Sequence, residues 1–364
     1  MEDTAELEVE KAALGFPAKL AKLKDLFKRL NRGPTELVAI DVGTSGIKAV
    51  RMRKTAGGAE VSGVDILPMP QAESADEEET EVATPQLSLP SELKARHAVL
   101  CTTAADSIVK LLSFPGAFNE QTEAQIVTSL GIEDEDAFRV GYEVVMMGQG
   151  RSESVVLAVA MPNAAARAPL ALVASGLPVP YSVEISGLCA MNAFLAGPGA
   201  ETMGEFVGAI EFGATVSFFA LFKEGRLVLI RKFNFGMDPL IAKVRDLLTV
   251  DTETARNILT DGSFDLSQPI GEIMQPFIKQ LVISRDFVER RYNGSVTQLF
   301  LSGGAVGSQD WVTELQNAFG LDVNIWNPFD VVSVDDSVDL GRFAGQESRF
   351  AAAIGAGLAT FEDT

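Results

Sequence analysis

The amino-acid sequence predicts an α/β protein of two related lobes, and three observations carry that prediction. A strand–acid–x–Gly–hairpin unit occurs twice: LVAIDVG followed by IKAVRMRKTAGGAEVSGVDIL returns later as VGAIEFGATVSFFALFKEGRLVLIRKFNFG. Asp41 corresponds to Glu211, Gly43 to Gly213 and Thr44 to Ala214, so the turn chemistry repeats along with the apolarity. Strand-like and helix-like segments alternate between and after the two units, the pattern of a layered α/β fold. The chain, at 364 residues, is too long for one compact core and fits two or three domains.

Composition narrows the function classes. Apolar residues make up 47% and charged residues 22%, the balance of a soluble globular protein. No stretch approaches the roughly 18 to 20 consecutive apolar residues of a membrane span. A formal net charge of −20 argues against wrapping nucleic acid, so no nucleic-acid partner is expected. The two cysteines, Cys101 and Cys189, lie in apolar runs and read as reduced core thiols, which excludes a disulfide scaffold. With one histidine, His97, a His-rich zinc site is excluded, and a Ser-His-Asp triad would depend on that residue alone.

Taken in order, the chain opens on the acidic MEDTAELEVE, which carries no secretory signal. In residues 17–32, Lys19, Lys22, Lys24, Lys28, Arg29 and Arg32 stand against Asp25 alone, a local charge of +5. Phe16, Leu20, Leu23, Phe27 and Leu30 recur at steps of four and three, the stripe of an amphipathic helix that Gly33-Pro34 ends. After the first hairpin, residues 70–92 hold the acidic run ESADEEETE and read as a solvated loop. Between the repeats, AVLCTTAADSIVKLLSFP, FRVGYEVVMMG and SVVLAVAMP read as strands. NEQTEAQIVTSLG reads as a helix, as do 163–176 and 188–195, with VPYSVEISG as a strand between the last two. Helices follow the second hairpin near 238–248, 251–260 and 270–292. TQLFLSGGAVGSQDWVTELQNAFGLDVNIWNP then reads strand, Gly turn, helix, strand, and a small-residue helix spans 349–360.

Three glycine turns follow apolar strands: Asp41-Val42-Gly43-Thr44-Ser45-Gly46, Glu211-Phe212-Gly213-Ala214-Thr215, and Ser302-Gly303-Gly304-Ala305. Glycine lets successive N–H groups point at one anion, and a helix start after the third turn adds its dipole. Lys48 is close enough to the first turn to face a bound phosphate, and the acids Asp41 and Glu211 suit magnesium held through water. Neither a Walker A pattern nor GxGxxG occurs.

In this order the turns resemble the actin-like ATPase superfamily, in which two related hairpins clasp phosphates across a cleft. VAIDVGTSGIKAV and GAIEFGATVSFFALFKEGRLVLIRKFNFG look like the two phosphate loops of the type IV pilus assembly protein PilM family, relatives of FtsA. LFLSGGAVGSQDWVTELQNAFGLDVNIWNPF is similar to that family's nucleoside-side unit, and the likeness runs from about residue 36 to 360. It implies an actin-like (duplicated RNase-H-like) two-lobed fold with an inserted small subdomain. Residues 1–35 would be an N-terminal extension, 36–98 plus 180–204 the first lobe, 99–179 the insertion and 205–364 the second lobe.

The resemblance also implies ATP and magnesium as ligands and a cytoplasmic place against the inner membrane. The partner it implies is the short cytoplasmic tail of a PilN-like membrane protein. Asp41, Gly43, Thr44, Ser45, Lys48, Glu211, Gly213, Ala214 and Thr215 would hold phosphate, Gly303 and Gly304 the nucleoside, and Asp41 and Glu211 the metal. Several positions depart from the family pattern. The second loop opens on Glu211 in place of Asp, and the helix that presents Ala-Glu-x-x-Lys reads Ala255-Arg256-Asn257-Ile258-Leu259. The acid that positions an attacking water is either Glu184 or has been replaced by Ser186. A phosphate-competent fold with an eroded nucleoside grip and weak or absent hydrolysis is expected. The rivals are an active ATPase or kinase and an FtsA-like membrane-tethered filament protein.

The basic stripe at 16–32 packs on the body of the protein, lies on an anionic membrane surface or a partner, or is disordered. Sedimentation with anionic vesicles separates these. Lipid binding brings down the full chain but not one beginning at Pro34, whereas both stay in the supernatant at low salt if the stripe is packed or partner-bound.

Overall fold

A computed structural model describes residues 33–70, 85–173, 176–261, 264–304 and 309–362. The expected basic helix at 16–32 and the acidic run at 73–81 lie outside them. β1 (Glu36–Gly43), β2 (Gly46–Thr55) and β3 (Gly58–Leu67) form an antiparallel meander, and β4 (His97–Thr102) adds in parallel on the free side of β1. Leu37, Val38, Ala39 and Ile40 are all buried, because a central strand covered on both faces must be apolar throughout.

The chain then leaves this sheet. β5 (Ile108–Pro115), β6 (Phe138–Met146) and β7 (Glu153–Pro162) make a separate three-stranded sheet in the order β5-β7-β6. The segment expected as one helix between β5 and β6 forms two short ones, Glu120–Glu123 and Ile126–Leu130, the first closed by an Asn119–Thr122 capping box. Helix α1 (Asn163–Ala171) leads back to β8 (Val179–Ile185), which pairs in parallel with β4, and α2 (Ser186–Ala196) follows without a break.

The second meander repeats the first. β9 (Phe206–Phe212), β10 (Ser217–Lys223) and β11 (Arg226–Phe233) run antiparallel, and the Glu224–Gly225 turn has positive φ at both residues, as a tight hairpin needs. Three helices follow: α3 (Met237–Leu248), α4 (Thr252–Asp261) and α5 (Ser267–Tyr292). β12 (Gln298–Gly303) then pairs in parallel with β9, as β4 does with β1. Helix α6 (Gln309–Phe319) leads to β13 (Val323–Ile325) at the sheet edge.

Two segments join the first sheet from outside the stretches expected for it. Residues 99–102 belong to β4, because β1 offers the ladder that an apolar strand of that length requires. Beyond β13 the chain crosses back: β14 (Ser333–Val334) pairs with β3, and α7 (Ala351–Glu362) packs on α2 and on β1 and β4. Helix α7 is small and apolar on nearly every side, so a position between two sheets is the one that buries it.

The main core accordingly runs from Leu37, Met52 and Val99 through α2 and α7 to Val207, Ala209 and Phe218 of the second sheet. The outer face of the second sheet packs on α3, α5 and α6 around Phe212, Phe277 and Trp311. Cys101 and Cys189 meet in the main core as free thiols with sulfurs 3.9 Å apart; the hydrogen bond to Cys189, and then burial, push the Cys101 thiol up. Lys232 of β11 donates to the carbonyls of Ala104 (3.5 Å), Ala105 and Ser107, tying the root of the three-stranded sheet to the second lobe.

A Cβ at Gly355 of α7 would land within 2.6 Å of the Cys189 carbonyl carbon on α2. Gly355→Ala therefore costs about 1–3 kcal/mol of overpacking, more than the helix propensity it adds. Its midpoint in denaturant falls below that of the wild type, while an equal or higher midpoint would mean that the two helices are free to separate.

Candidate functional site

The two repeated turns face each other across a cleft of about 370 Å³. In the first, antiparallel register sets Asp41 directly opposite Lys48, so both side chains share one sheet face. Lys48 Nζ lies 3.3 Å from Asp41 Oδ2, and both residues are buried. Gly43 leaves the room for this reach, since a Cβ there would stand 2.7 Å from Nζ. Ser186, the first residue of α2, donates its hydroxyl to Asp41 Oδ1 at 2.6 Å. Both carboxylate oxygens of Asp41 thus have a partner.

The second turn has the same backbone but different electrostatics. Glu211 occupies the place of Asp41, but the residue opposite it on β10 is Phe218, so the repeat supplies no cross-strand cation. Glu211 is half-buried by surface area yet lies deep in the cleft. Burial, reinforced by the Asp41 charge and opposed by Lys48, pushes its carboxyl up to about 8. The loop is braced from behind: Met237 N–H donates to Gly213 O at 3.0 Å and Asp238 N–H to Ala214 O at 2.9 Å. Gly303, at φ +100°, lets the third turn close on β9, where a Cβ would come within 2.8 Å of the Phe212 carbonyl carbon. Gly304 N–H donates to Phe212 O at 3.1 Å.

Asp41, Gly43, Thr44, Ser45, Lys48, Glu211, Gly213, Ala214, Gly303 and Gly304 therefore share one cleft. Thr215 is not among its lining residues. Glu184 lines a different cavity, whereas Ser186 faces the cleft because the chain turns from β8 into α2 between them. Of the departures on α4, Arg256 lines the cleft and Leu259 is buried in the second lobe's core. Sequence reasoning missed Asp238, Asn257 and Thr260, and from the turn ahead of α7 Gln346, Ser348 and Arg349, which complete the wall. An arginine immediately before an otherwise apolar helix was the available signal for Arg349.

Among the described residues no group of three or more His, Cys, Asp or Glu side chains could hold a metal by itself. Asp41 and Glu211 are the two carboxyls at the repeated turns, and hard oxygen donors of this kind would suit a magnesium ion held through its own water shell.

A second cavity, of about 660 Å³, lies between the three-stranded sheet and the first lobe. Its walls come from β6, β7, α1, β8 and α2, with Tyr142, Leu157, Leu170 and Leu188 as apolar lining and Arg139, Arg167, Glu143 and Glu184 as charges. β6 is an outer strand of its sheet and exposes Val140 and Tyr142. Asn163 Oδ1, in the same lining, is buried and has no hydrogen-bond partner among the described residues.

The family model of the type IV pilus assembly protein PilM matches residues 39–361, and the chain belongs to that family. Among solved structures it is similar to a PilM–PilN type IV pilus biogenesis complex, with a TM-score of 0.73 and 17% identity over 90% of this chain and 99% of that one. It is also similar to MreB 5 of Spiroplasma citri bound to AMPPNP (TM-score 0.42, 10% identity, 90% and 97% covered). A third likeness is to the ethanolamine utilization protein EutJ from Carboxydothermus hydrogenoformans (TM-score 0.41, 13% identity, 89% and 90% covered). The fold is actin-like.

Glu211 yields a pH prediction for the ligand-free protein. Its carboxyl titrates near 8 when folded and near 4.5 as a free side chain, so between those values the folded state holds a proton that the unfolded state has released. Stability from this group is full below about 4.5 and is lost as the pH rises to 8, with a slope of at most about 1.4 kcal/mol per pH unit. Glu211→Gln removes that slope. Denaturant unfolding of both proteins at pH 5.5 and 8.5 measures it: the variant should gain on the wild type at the higher pH, and parallel curves would place the Glu211 titration near its ordinary value.

Proposed function

We propose that this PilM-family protein is a cytoplasmic scaffold of a type IV pilus or related secretion machine, held against the inner membrane by a PilN-like partner. The cleft takes ATP with magnesium, and the second cavity takes the partner's N-terminal cytoplasmic tail. The observation that carries the reading is the groove itself. It joins an apolar floor, an outer strand and a buried acceptor, Asn163 Oδ1, that has no donor among the described residues. An extended tail laid along β6 supplies backbone N–H and C=O groups to the strand edge and apolar side chains to the floor. The similar PilM–PilN complex supports that choice of occupant. The net charge of −20 favours a basic tail through steering that salt weakens.

In the cleft, Lys48 exchanges its bond to Asp41 for one to a phosphate, and the N–H groups of the glycine turns face the remaining oxygens. Magnesium, held through water by Asp41 and Glu211, would neutralise phosphate charge. Hydrolysis is weak or absent. Phosphoryl transfer depends on positioning an attacking water, and α2 begins with a serine that is already bonded to Asp41. Glu211 keeps its proton until about pH 8.

Two variants test the two sites separately. Calorimetry of ATP–Mg binding should show a loss of roughly ten- to a hundredfold for Lys48→Ala, the worth of one charge-assisted hydrogen bond. Binding of a synthetic peptide of the PilN-like tail should survive in that variant and fall at least about tenfold in Tyr142→Ala. No ATP binding by the wild type at millimolar concentration would refute the cleft assignment. Equal peptide binding by Tyr142→Ala and wild type would refute the groove. Phosphate release faster than about one per minute, abolished by Asp41→Ala, would make the protein an ATPase.

A further inference from the structure

Two cationic side chains in the cleft make no ion pair among the described residues. Arg256 comes from the middle of α4, and Arg349 comes from the turn Glu347–Phe350 ahead of α7. Both are half-buried and both line the cleft. Among the described residues neither makes an ion pair, and the guanidinium of Arg349 has one hydrogen bond, from Nη1 to Gln346 Oε1 at 2.6 Å. The two groups are close enough to repel: burial and then the Arg256 charge push the Arg349 guanidinium down, with Asp41 pulling the other way. Asp238, on the same wall, feels Arg256 without pairing with it. The third cation of the cleft, Lys48, is already held by Asp41.

This arrangement runs against the charge of the whole chain, which carries fifty acidic residues against thirty basic ones. Two guanidiniums partly withdrawn from water and facing the same space raise each other's free energy unless an anion comes between them. A planar guanidinium presents a fork of N–H donors that matches phosphate oxygens, and two such forks can share one phosphate.

We propose that Arg256 and Arg349 together hold a phosphate group of the ligand bound in the cleft, in addition to the phosphate contacts of Lys48 and the glycine turns. The pair arises from two distant parts of the chain: α4 supplies Arg256 while turning Leu259 into the core, and the turn ahead of α7 supplies Arg349. The proposal rests on the nucleotide reading only for what carries the phosphate. A nucleoside triphosphate and inorganic pyrophosphate offer the same group, and they are tested separately.

The experiment uses the full chain as wild type, Arg256→Ala, Arg349→Ala and the double variant, with AMPPNP, adenosine and inorganic pyrophosphate as probes. Each single variant should lose about ten- to a hundredfold in AMPPNP affinity. The double variant should lose little more, because the two forks act on one group. Adenosine binding should not change. Without ligand the variants should melt at or above the wild-type temperature, since a repulsion has been removed, which also shows that they fold. Equal AMPPNP affinity in wild type and variants overturns the proposal. If AMPPNP fails to bind the wild type but pyrophosphate raises the melting temperature of the wild type alone, the pair stands and the nucleotide reading falls. If neither probe distinguishes wild type from variants, the pair falls as well.

Discussion

The close contact between α2 and α7 is the constraint on which the other features depend. Gly355 lets α7 approach the Cys189 carbonyl of α2, and Gly187 of α2 lies on the ring of Phe218 from the second sheet. Helices separated by such small residues stack thinly, so the duplicated sheets come close enough for their turns to face each other. The same contact sets the start of α2, which places the Ser186 hydroxyl on Asp41. It also sets the start of α7, which brings Arg349 to the cleft. A larger side chain at Gly355 would push the two helices apart, and one at Gly187 would displace the Phe218 ring, which lines the cleft with it.

Duplication provides matching backbones, but the two halves divide the electrostatic work. In the first, a buried carboxylate is balanced by a cross-strand lysine and a serine hydroxyl. A buried pair of this kind is tolerated only when its remaining hydrogen-bonding capacity is met, and here it is. In the second, the lysine is replaced by Phe218, and Glu211 instead retains a proton up to about pH 8. The cleft therefore has one carboxyl, Asp41, joined to a lysine and a serine, and two arginines that make no ion pair among the described residues. Its local character is cationic within a strongly acidic chain.

How much of this was legible in the sequence follows from the range of each interaction. The repeat, its hairpins and the order of the strands depend on local periodicity and turn chemistry, and they can be read from residues 36–67 and 206–236. The gathering of Asp41, Lys48 and Glu211 followed from the repeat. What escaped depends on where the chain returns. β14 and α7 rejoin the first sheet across a long sequence separation, so Arg349 could not be assigned to a cleft built from other segments. The choice between Glu184 and Ser186 depends on the residue at which β8 turns into helix, and a shift of one residue there reverses which side chain faces the cleft. On α4 the motif Ala255-Arg256-Asn257-Ile258-Leu259 does not distinguish the two departures by itself. The helix instead turns Leu259 into the core and leaves Arg256 facing the cleft.

The cleft and the groove are separate cavities with a shared frame. Glu184 faces one and Ser186 the other, two residues apart on a continuous strand-to-helix connection. Thr103 lines the cleft at the start of the loop whose next carbonyls, from Ala104 to Ser107, are held by Lys232 of the second lobe. That loop runs directly into β5, the first strand of the sheet that walls the groove. Coupling between two sites requires a contiguous set of contacts with more than one arrangement. The contacts here are both polar and apolar: backbone carbonyls on Lys232 at the loop, the Ser186 hydroxyl on Asp41 at the helix, and beside them Val109 and Leu111 of β5 packed against the main core, with β5 lying on β11. A displacement of β5 would therefore act on the loop that lines the cleft and on the core at the same time.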